Sequence, residues 1–277
     1  MSFGEHTARK RFGQHWLRDE KVLDWILEAS DLQPGDRILE VGPGRGALTE
    51  GLLASQADAI HAIELDRDLV VGLQERFGSD PRFSLKAGDV LSLPLELNDG
   101  SPANKVVANI PYNITGPLLE RLIGRLDHPA EPNYQRLVLL VQHEVAQRIR
   151  AQPGHRNFSA LSVRMQLLGR CSHICAVPPR CFQPPPKVQS EVICIEPFPA
   201  EQRLAHPVAR RVERLLKMAF LSRRKMLRNT LAPACPRDQL QPMAEAAGIA
   251  LQQRPQEIAP EAWVALAKRL NQLDSAV

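Results

Sequence analysis

The stretch "RILEVGPGRGALTEGLLAS", residues 37–55, decides the fold. "RILEV" follows the turn "QPGD" and reads as a buried strand; "GALTEGLLAS" reads as a helix. Gly42, Gly44 and Gly46 lie between them and remove side chains where a ligand must approach the backbone. The helix that opens behind the loop offers unpaired N–H groups. At the end of the next strand, "AIHAIEL" (59–65), stands Glu64, eighteen residues past Gly46. That spacing suits a carboxylate accepting hydrogen bonds from ribose hydroxyls. Asp89, after the third strand in "AGDV", falls where the adenine end of a nucleoside ligand would lie. Tight turns alone would account for the glycines, but not for acids in register at successive strand ends.

The pattern E-x-G-x-G-x-G differs from the dinucleotide fingerprint G-x-G-x-x-G. Glu40, two residues before the first glycine, would be poorly placed against a pyrophosphate. It suits a ligand carrying a cationic amino acid, such as S-adenosylmethionine.

Outward from this unit, "DRDLVVGLQERF" puts Leu69, Leu73 and Phe77 on one helical face behind Asp66 as N-cap. "RFSLKAGD", "KVVANI" and "RLVLLVQ" read as further strands. Alternating strands and helices predict an α/β protein, with a parallel sheet covered on both faces. "VPPRCFQPPPKV" (177–188) fits neither helix interior nor central strand and predicts a rigid loop before the strand "SEVICIE". A second proline cluster, "EPFPAEQRLAHP", predicts a domain boundary near residue 200, so that 1–199 and 200–277 form two domains, the second all-helical. There "HPVARRVERLLKMAFL" places Val208, Val212, Leu215, Ala219 and Phe220 on one face and Arg210, Arg214 and Lys217 on another.

The strand "KVVANI" ends in "NIPY", where more strand or a plain turn would be the simpler solution. The exocyclic nitrogen of a nucleic-acid base is a weak nucleophile because its lone pair is delocalised into the ring. Two acceptors on its N–H bonds favour the tetrahedral form, and the Asn109 side-chain oxygen with the Ile110 carbonyl can supply them. Pro111 would fix that backbone and Tyr112 would stack on the base. Such a base must be single-stranded or flipped out of its helix.

At 277 residues the chain has room for one large domain and a smaller one. No apolar run reaches the ~18 residues of a membrane span, and "MSFGEHTARKRFGQHWL" has no signal-peptide core, so a cytoplasmic protein is expected. Five cysteines without a C-x-x-C pair predict neither a disulfide framework nor a zinc site. "CSHICAV" alternates as a strand, so Cys171, His173 and Cys175 are not expected to bind metal. From residue 200 onward there are 13 Lys and Arg against 7 acids, whereas the first 199 residues carry 22 against 24. A basic C-terminal part predicts a polyanionic partner. His143 and His155 are expected at the surface, Trp25 and Trp263 in the core.

"ARKRFGQHWLRD", "EVGPGRGALTE", "IELDRDL", "NIPYNITGPLL", "CFQPPPKVQSEV" and "FLSRRKMLRNTL" follow one another almost end to end. In this order they resemble the ribosomal RNA adenine N6,N6-dimethyltransferases, in particular their bacterial small-subunit branch. The resemblance implies a Rossmann-like, class I S-adenosylmethionine-dependent methyltransferase sheet with a smaller helical C-terminal domain. It implies two adjacent adenines near the 3′ end of 16S rRNA, in an immature small subunit, as substrate, and a monomeric enzyme. Carried over by motif, the cofactor contacts fall on His15, Leu17, Gly42, Gly44, Glu64, Asp89 and Asn109. The acceptor adenine would lie between Tyr112 and Phe182. Arg223, Arg224, Lys225 and Arg228 are expected against RNA. In "FGQHWL" His15 and Trp16 replace the family's usual Asn and Phe; imidazole still offers a donor. A large-subunit methyltransferase of the macrolide-resistance type and a non-catalytic assembly factor are the competing readings. A nicotinamide dehydrogenase is a remote third.

Overall fold

The computed structural model describes residues 13–97, 99–131 and 134–275. Ala8 to Phe12 of the first motif lie outside the described residues. Contacts divide the chain into two compact units. Among the described residues, one comprises those up to 123, 130–146 and 171–197; the other comprises 124–129, 147–170 and those from 198 onward. The helical unit includes, besides the residues from 198 onward, the segments 124–129 and 147–170, so the units are not two continuous stretches of chain.

The first unit is built on a seven-stranded sheet: β1 (Arg37–Val41), β2 (Ala59–Glu64), β3 (Phe83–Ala87), β4 (Lys105–Asn109), β5 (Arg136–Gln142), β6 (Gly169–Val177) and β7 (Ser190–Pro197). Their spatial order is β3-β2-β1-β4-β5-β7-β6. Strands β1 to β5 are parallel, as the alternating pattern predicts. β7 departs from that expectation and runs antiparallel to β5, with Ser190 opposite Gln142. The 178–189 connection joins β6 to its sheet neighbour β7 without an α-helix, whereas a parallel pairing of those two strands would need a long crossover. The proline-rich segment instead makes a 3-10 turn at Pro179–Cys181 and a two-residue ladder in which Leu17 pairs with Phe182.

Helices α1 (Glu20–Ser30), α2 (Ala47–Ala54), α3 (Arg67–Phe77) and α4 (Thr115–Ile123) belong to the same unit. Asp66 caps α3 by accepting from the Asp68 N–H, and Leu69, Leu73 and Phe77 are buried, as expected. Ile38, Ile60, Val107 and Val138, on adjacent strands, pack in one core with Val22 and Ile26 of α1. Trp25 lies one step round α1 from the Val22–Ile26–Ser30 face and is 43% exposed, so it is not the core anchor the sequence suggested.

The helical unit contains α6 (Ala160–Leu168), α7 (His206–Phe220), α8 (Leu227–Thr230), α9 (Arg237–Ala246) and α10 (Pro260–Ser275), with α5 (His143–Arg150) divided between the units. Trp263 is fully buried in it, 6.3 Å from Phe220. Val212, Leu215 and Ala219 of α7 face inward as predicted; Val208 and Phe220 are half-buried. No helix of the described residues is long and apolar enough to cross a membrane.

Candidate active site

β1, β2 and β4 end side by side, and the loops that follow them enclose a two-lobed cleft. The first lobe, about 510 Å³, is lined by the residue 16–18 segment, Glu40 and the glycine loop. The second, about 260 Å³, is lined by His15, Glu64, Asp89 and the Ile110–Tyr112 segment. Trp16, Gly42, Gly44 and Asn109 line both. Leu17 lines the first. Of the residues expected at the cofactor or the acceptor, Phe182 alone stands outside both linings. It is 4% exposed and packed into the core cluster, and its backbone pairs with Leu17. Its side chain is thus buried here, beside the Leu17 backbone, and not open to the cleft.

Gly42, Gly44 and Gly46 all have left-handed φ values, +67°, +61° and +80°. Space forbids a side chain as well: a Cβ on Gly44 would stand 2.9 Å from Trp16, and one on Gly46 2.4 Å from Phe77. Across the loop, Glu64 Oε2 accepts the Gly44 N–H at 3.0 Å and Oε1 accepts the Asp66 N–H at 2.8 Å. Burial pushes this carboxyl above its ordinary value, opposed by those two N–H bonds. The Leu65 N–H also favours the carboxylate, so at most two of the roughly four acceptor positions of a carboxylate stay available. Asp89 is exposed and its Oδ1 accepts the Leu91 N–H.

Glu40 behaves differently. It is 1% exposed, and Oε2 accepts from the Thr49 hydroxyl at 2.8 Å while Oε1 has no hydrogen-bond partner among the described residues. Burial pushes its pKa up to about 8, so it is largely a neutral acid at pH 7.

On the acceptor side, Asn109 Nδ2 donates to the His15 carbonyl at 3.0 Å. This orients the amide so that Oδ1 points away as the acceptor. Tyr112 is held at both ends: its hydroxyl lies 2.5 Å from Ser190 Oγ, and the His15 ring stacks on it at 5.6 Å between centroids. Burial raises the phenol further above its usual value, against the Ser190 bond, and keeps it neutral. His15 Nδ1 is bonded to the Pro184 carbonyl at 2.8 Å, and Gln14 Nε2 donates to Asp66 at 2.9 Å. Arg45 covers the Trp16 ring at 4.1 Å. Residues 14–17 are thus pinned to α3, β4 and the proline-rich loop.

Ser190, Trp16 and Arg45 are the site residues that sequence reasoning missed. Nothing local to "QSEV" announces that a serine 78 residues away meets Tyr112; only the β7 register does so. His143, expected at the surface, is half-buried and bonds Glu191, which also accepts from His173, each at 2.8 Å. His155 is exposed as expected. The "CSHICAV" segment is strand. Among the described residues no three His, Cys, Asp or Glu side chains are grouped to hold a metal ion.

A family model described as ribosomal RNA adenine dimethylase matches residues 5–272. The chain belongs to this family. The relatives of this dimethylase include proteins named ribosomal RNA small subunit methyltransferase A. That of Synechococcus sp. (strain CC9311) is 78% identical and that of strain WH7803 72% identical, each over 99% or more of both chains. Among solved structures, the 23S rRNA methyltransferase ErmE superposes with a TM-score of 0.74 at 27% identity, over 93% of this chain and all of its own. A dimethyladenosine transferase from Plasmodium falciparum gives 0.77 at 23% identity, over 93% and 98%, which establishes the shared fold.

S-adenosylmethionine is the cofactor of this dimethylase. The residues present fit it. Glu40 Oε1 is a buried carboxyl oxygen with no partner at the cleft, matched to a cationic amino group. The Gly44 cradle excludes any Cβ, and Glu64 keeps open acceptor positions for ribose hydroxyls.

Proposed function

We infer that this dimethylase transfers two methyl groups to N6 of each of two adjacent adenines near the 3′ end of 16S rRNA. The observation that carries the chemistry is Asn109, which lines both lobes with its amide nitrogen tied down and its oxygen left over as acceptor. S-adenosylmethionine, when bound, supplies an electrophilic methyl group on a sulfonium. The chain's own task is to hold the acceptor amine. Asn109 Oδ1 and the Ile110 carbonyl would take the amine N–H bonds, so that the N6 lone pair is freed from conjugation with the ring and can form the new N–C bond as the methyl–sulfur bond breaks. One proton leaves N6 in each transfer. Tyr112, fixed by Ser190 and His15, supplies a stacking face worth roughly 1 to 3 kcal/mol for a flipped base. Phe182 supports the wall through Leu17.

The identity of 72–78% to small-subunit enzymes supports a small-subunit substrate. The large-subunit reading has in its favour only the 27% likeness to a 23S methyltransferase. We place the reaction in the cytoplasm, on an immature small subunit, performed by a monomer. Arg224, Lys225 and Arg228, all exposed, would meet RNA phosphates, with Arg223 contributing the nitrogens it does not use on the Arg156 and Phe158 carbonyls.

The test is transfer of labelled methyl to unmethylated small subunits and to large subunits, followed by nucleoside analysis. The expected product is N6,N6-dimethyladenosine from small subunits. Label confined to large subunits, or none from either, would overturn the reading.

A further inference from the structure

Helix α7 carries four cations and one acid; three of the cations are exposed, and the acid is withdrawn from the surface. Glu213 is 5% exposed; it accepts two bonds from Arg164 Nε, at 3.0 and 2.9 Å, and the Leu126 N–H. Arg211 is neutralised from α10, where Asn271 and Asp274 accept from its guanidinium. That leaves Arg210, Arg214 and Lys217, all exposed, without an ion pair among the described residues.

These three stand at positions i, i+4 and i+7, on one face of the helix. Like charges at i, i+4 are mutually destabilising, and a solvated face normally relieves this with acids at that spacing. Here no acid does so. Arg210 and Arg214 also help line a cavity of about 270 Å³ with His206, Pro207, Arg211 and Asn271. The cavity wall contains three guanidinium groups and no carboxylate. At 1.5 Å rise per residue, Arg210 and Arg214 are about 6 Å apart along the axis, a stride that serves adjacent phosphates of one strand.

We propose that Arg210, Arg214 and Lys217 form a second phosphate-binding surface for the ribosomal RNA backbone, separate in sequence from the 223–228 cluster. The surface rests on the rRNA methyltransferase reading and adds a partner contact to it. Guanidinium groups pair with phosphates bidentately, and Lys217 extends the track as a point charge. The contact holds the strand without reading bases.

The experiment is binding of the full-length chain to unmethylated small subunits across a salt series, for wild type and for Arg210→Gln/Arg214→Gln. Each lost phosphate contact removes roughly 0.7 to 0.9 from the log–log salt slope. The double variant should flatten the slope by about 1.4 to 1.8 and weaken binding on the order of tenfold or more near 0.1 M salt. The melting temperature should be no lower than wild type, since a like-charge pair is removed, and cofactor affinity should be unchanged, because both side chains are exposed and without partners among the described residues. Arg210→Lys/Arg214→Lys should restore most of the slope. An unchanged slope in the folded Gln variant overturns the proposal. Failure of the wild-type chain itself to bind or methylate small subunits would instead overturn the underlying function.

Discussion

The glycine loop after β1 and the Asn-Ile-Pro-Tyr loop after β4 leave neighbouring strands at the same end of the sheet, yet they prepare for their ligands in opposite ways. The first removes side chains. Its three glycines take left-handed backbone, and the groups that face the cleft are N–H bonds and the acids Glu40 and Glu64. The second presents side chains, each fixed by a residue far off in sequence: Asn109 by the His15 carbonyl, and Tyr112 by Ser190 and His15. The difference teaches a division of labour. Changes around the glycine loop should alter how tightly the cofactor is held, whereas changes in the β4 loop should alter how fast the amine reacts.

The largest effect belongs to the β4 side. Asn109→Ala should lower turnover by about 100-fold or more, the scale of losing one preorganised transition-state contact, while RNA affinity stays within a few-fold. Single-turnover kinetics beside subunit binding checks this. On the glycine-loop side, Glu64→Ala removes charge-assisted bonds worth roughly 1.5 to 3 kcal/mol each. Calorimetry should show cofactor affinity at least tenfold weaker in a folded protein. An unchanged affinity would remove Glu64 from the ribose and blur the division.

Glu40 sharpens the comparison through pH. Its folded-state pKa of about 8 lies above the value of 4.5 for a free glutamate, so the folded protein holds this proton more tightly than the unfolded chain. Its contribution to stability is complete below about pH 4.5 and is lost as pH rises toward 8. A cationic ligand group favours the carboxylate, so cofactor binding should release a proton below pH 8. Affinity should then rise between pH 6 and 8, by at most about tenfold per unit. Glu40→Gln should flatten that rise; comparison of the two proteins cancels the ligand's own titration. Identical pH profiles would show that Glu40 does not face the cation. The smallest effect is expected of Ser190→Ala, which frees the Tyr112 hydroxyl for about 0.5 to 1.5 kcal/mol. KM for subunits should rise a few-fold with cofactor affinity unchanged, and Tyr112→Phe should make the Ser190 change nearly silent.

The same contrast explains what could be read in the sequence. Gly42, Gly44 and Gly46 were legible because left-handed backbone and missing space both demand glycine, and Glu64 and Asp89 because strand ends set their register. Asn109 and Tyr112 were legible by chemistry, but their supports were not. Ser190 reaches Tyr112 only through the antiparallel return of β7, which the alternation of strands and helices did not foretell. Phe182 illustrates the limit: motif order placed its ring at the base, while pairing with Leu17 turned it into core. Trp25 shows a smaller version, one step of 100° around α1 separating a core position from an exposed one. In the helical unit the sequence displayed an excess of arginine without saying which were already engaged. Arg211 and Arg223 are bonded within the fold, whereas Arg210 and Arg214 have no partner among the described residues.

The most direct test of this division is single-turnover methyl transfer to unmethylated small subunits, run for Asn109→Ala and Glu64→Ala over rising cofactor concentration. The account predicts that Glu64→Ala approaches the wild-type rate once cofactor saturates, whereas Asn109→Ala stays about 100-fold slow at every concentration. Recovery of Asn109→Ala by excess cofactor, or a Glu64→Ala defect that saturation leaves in place, would contradict it.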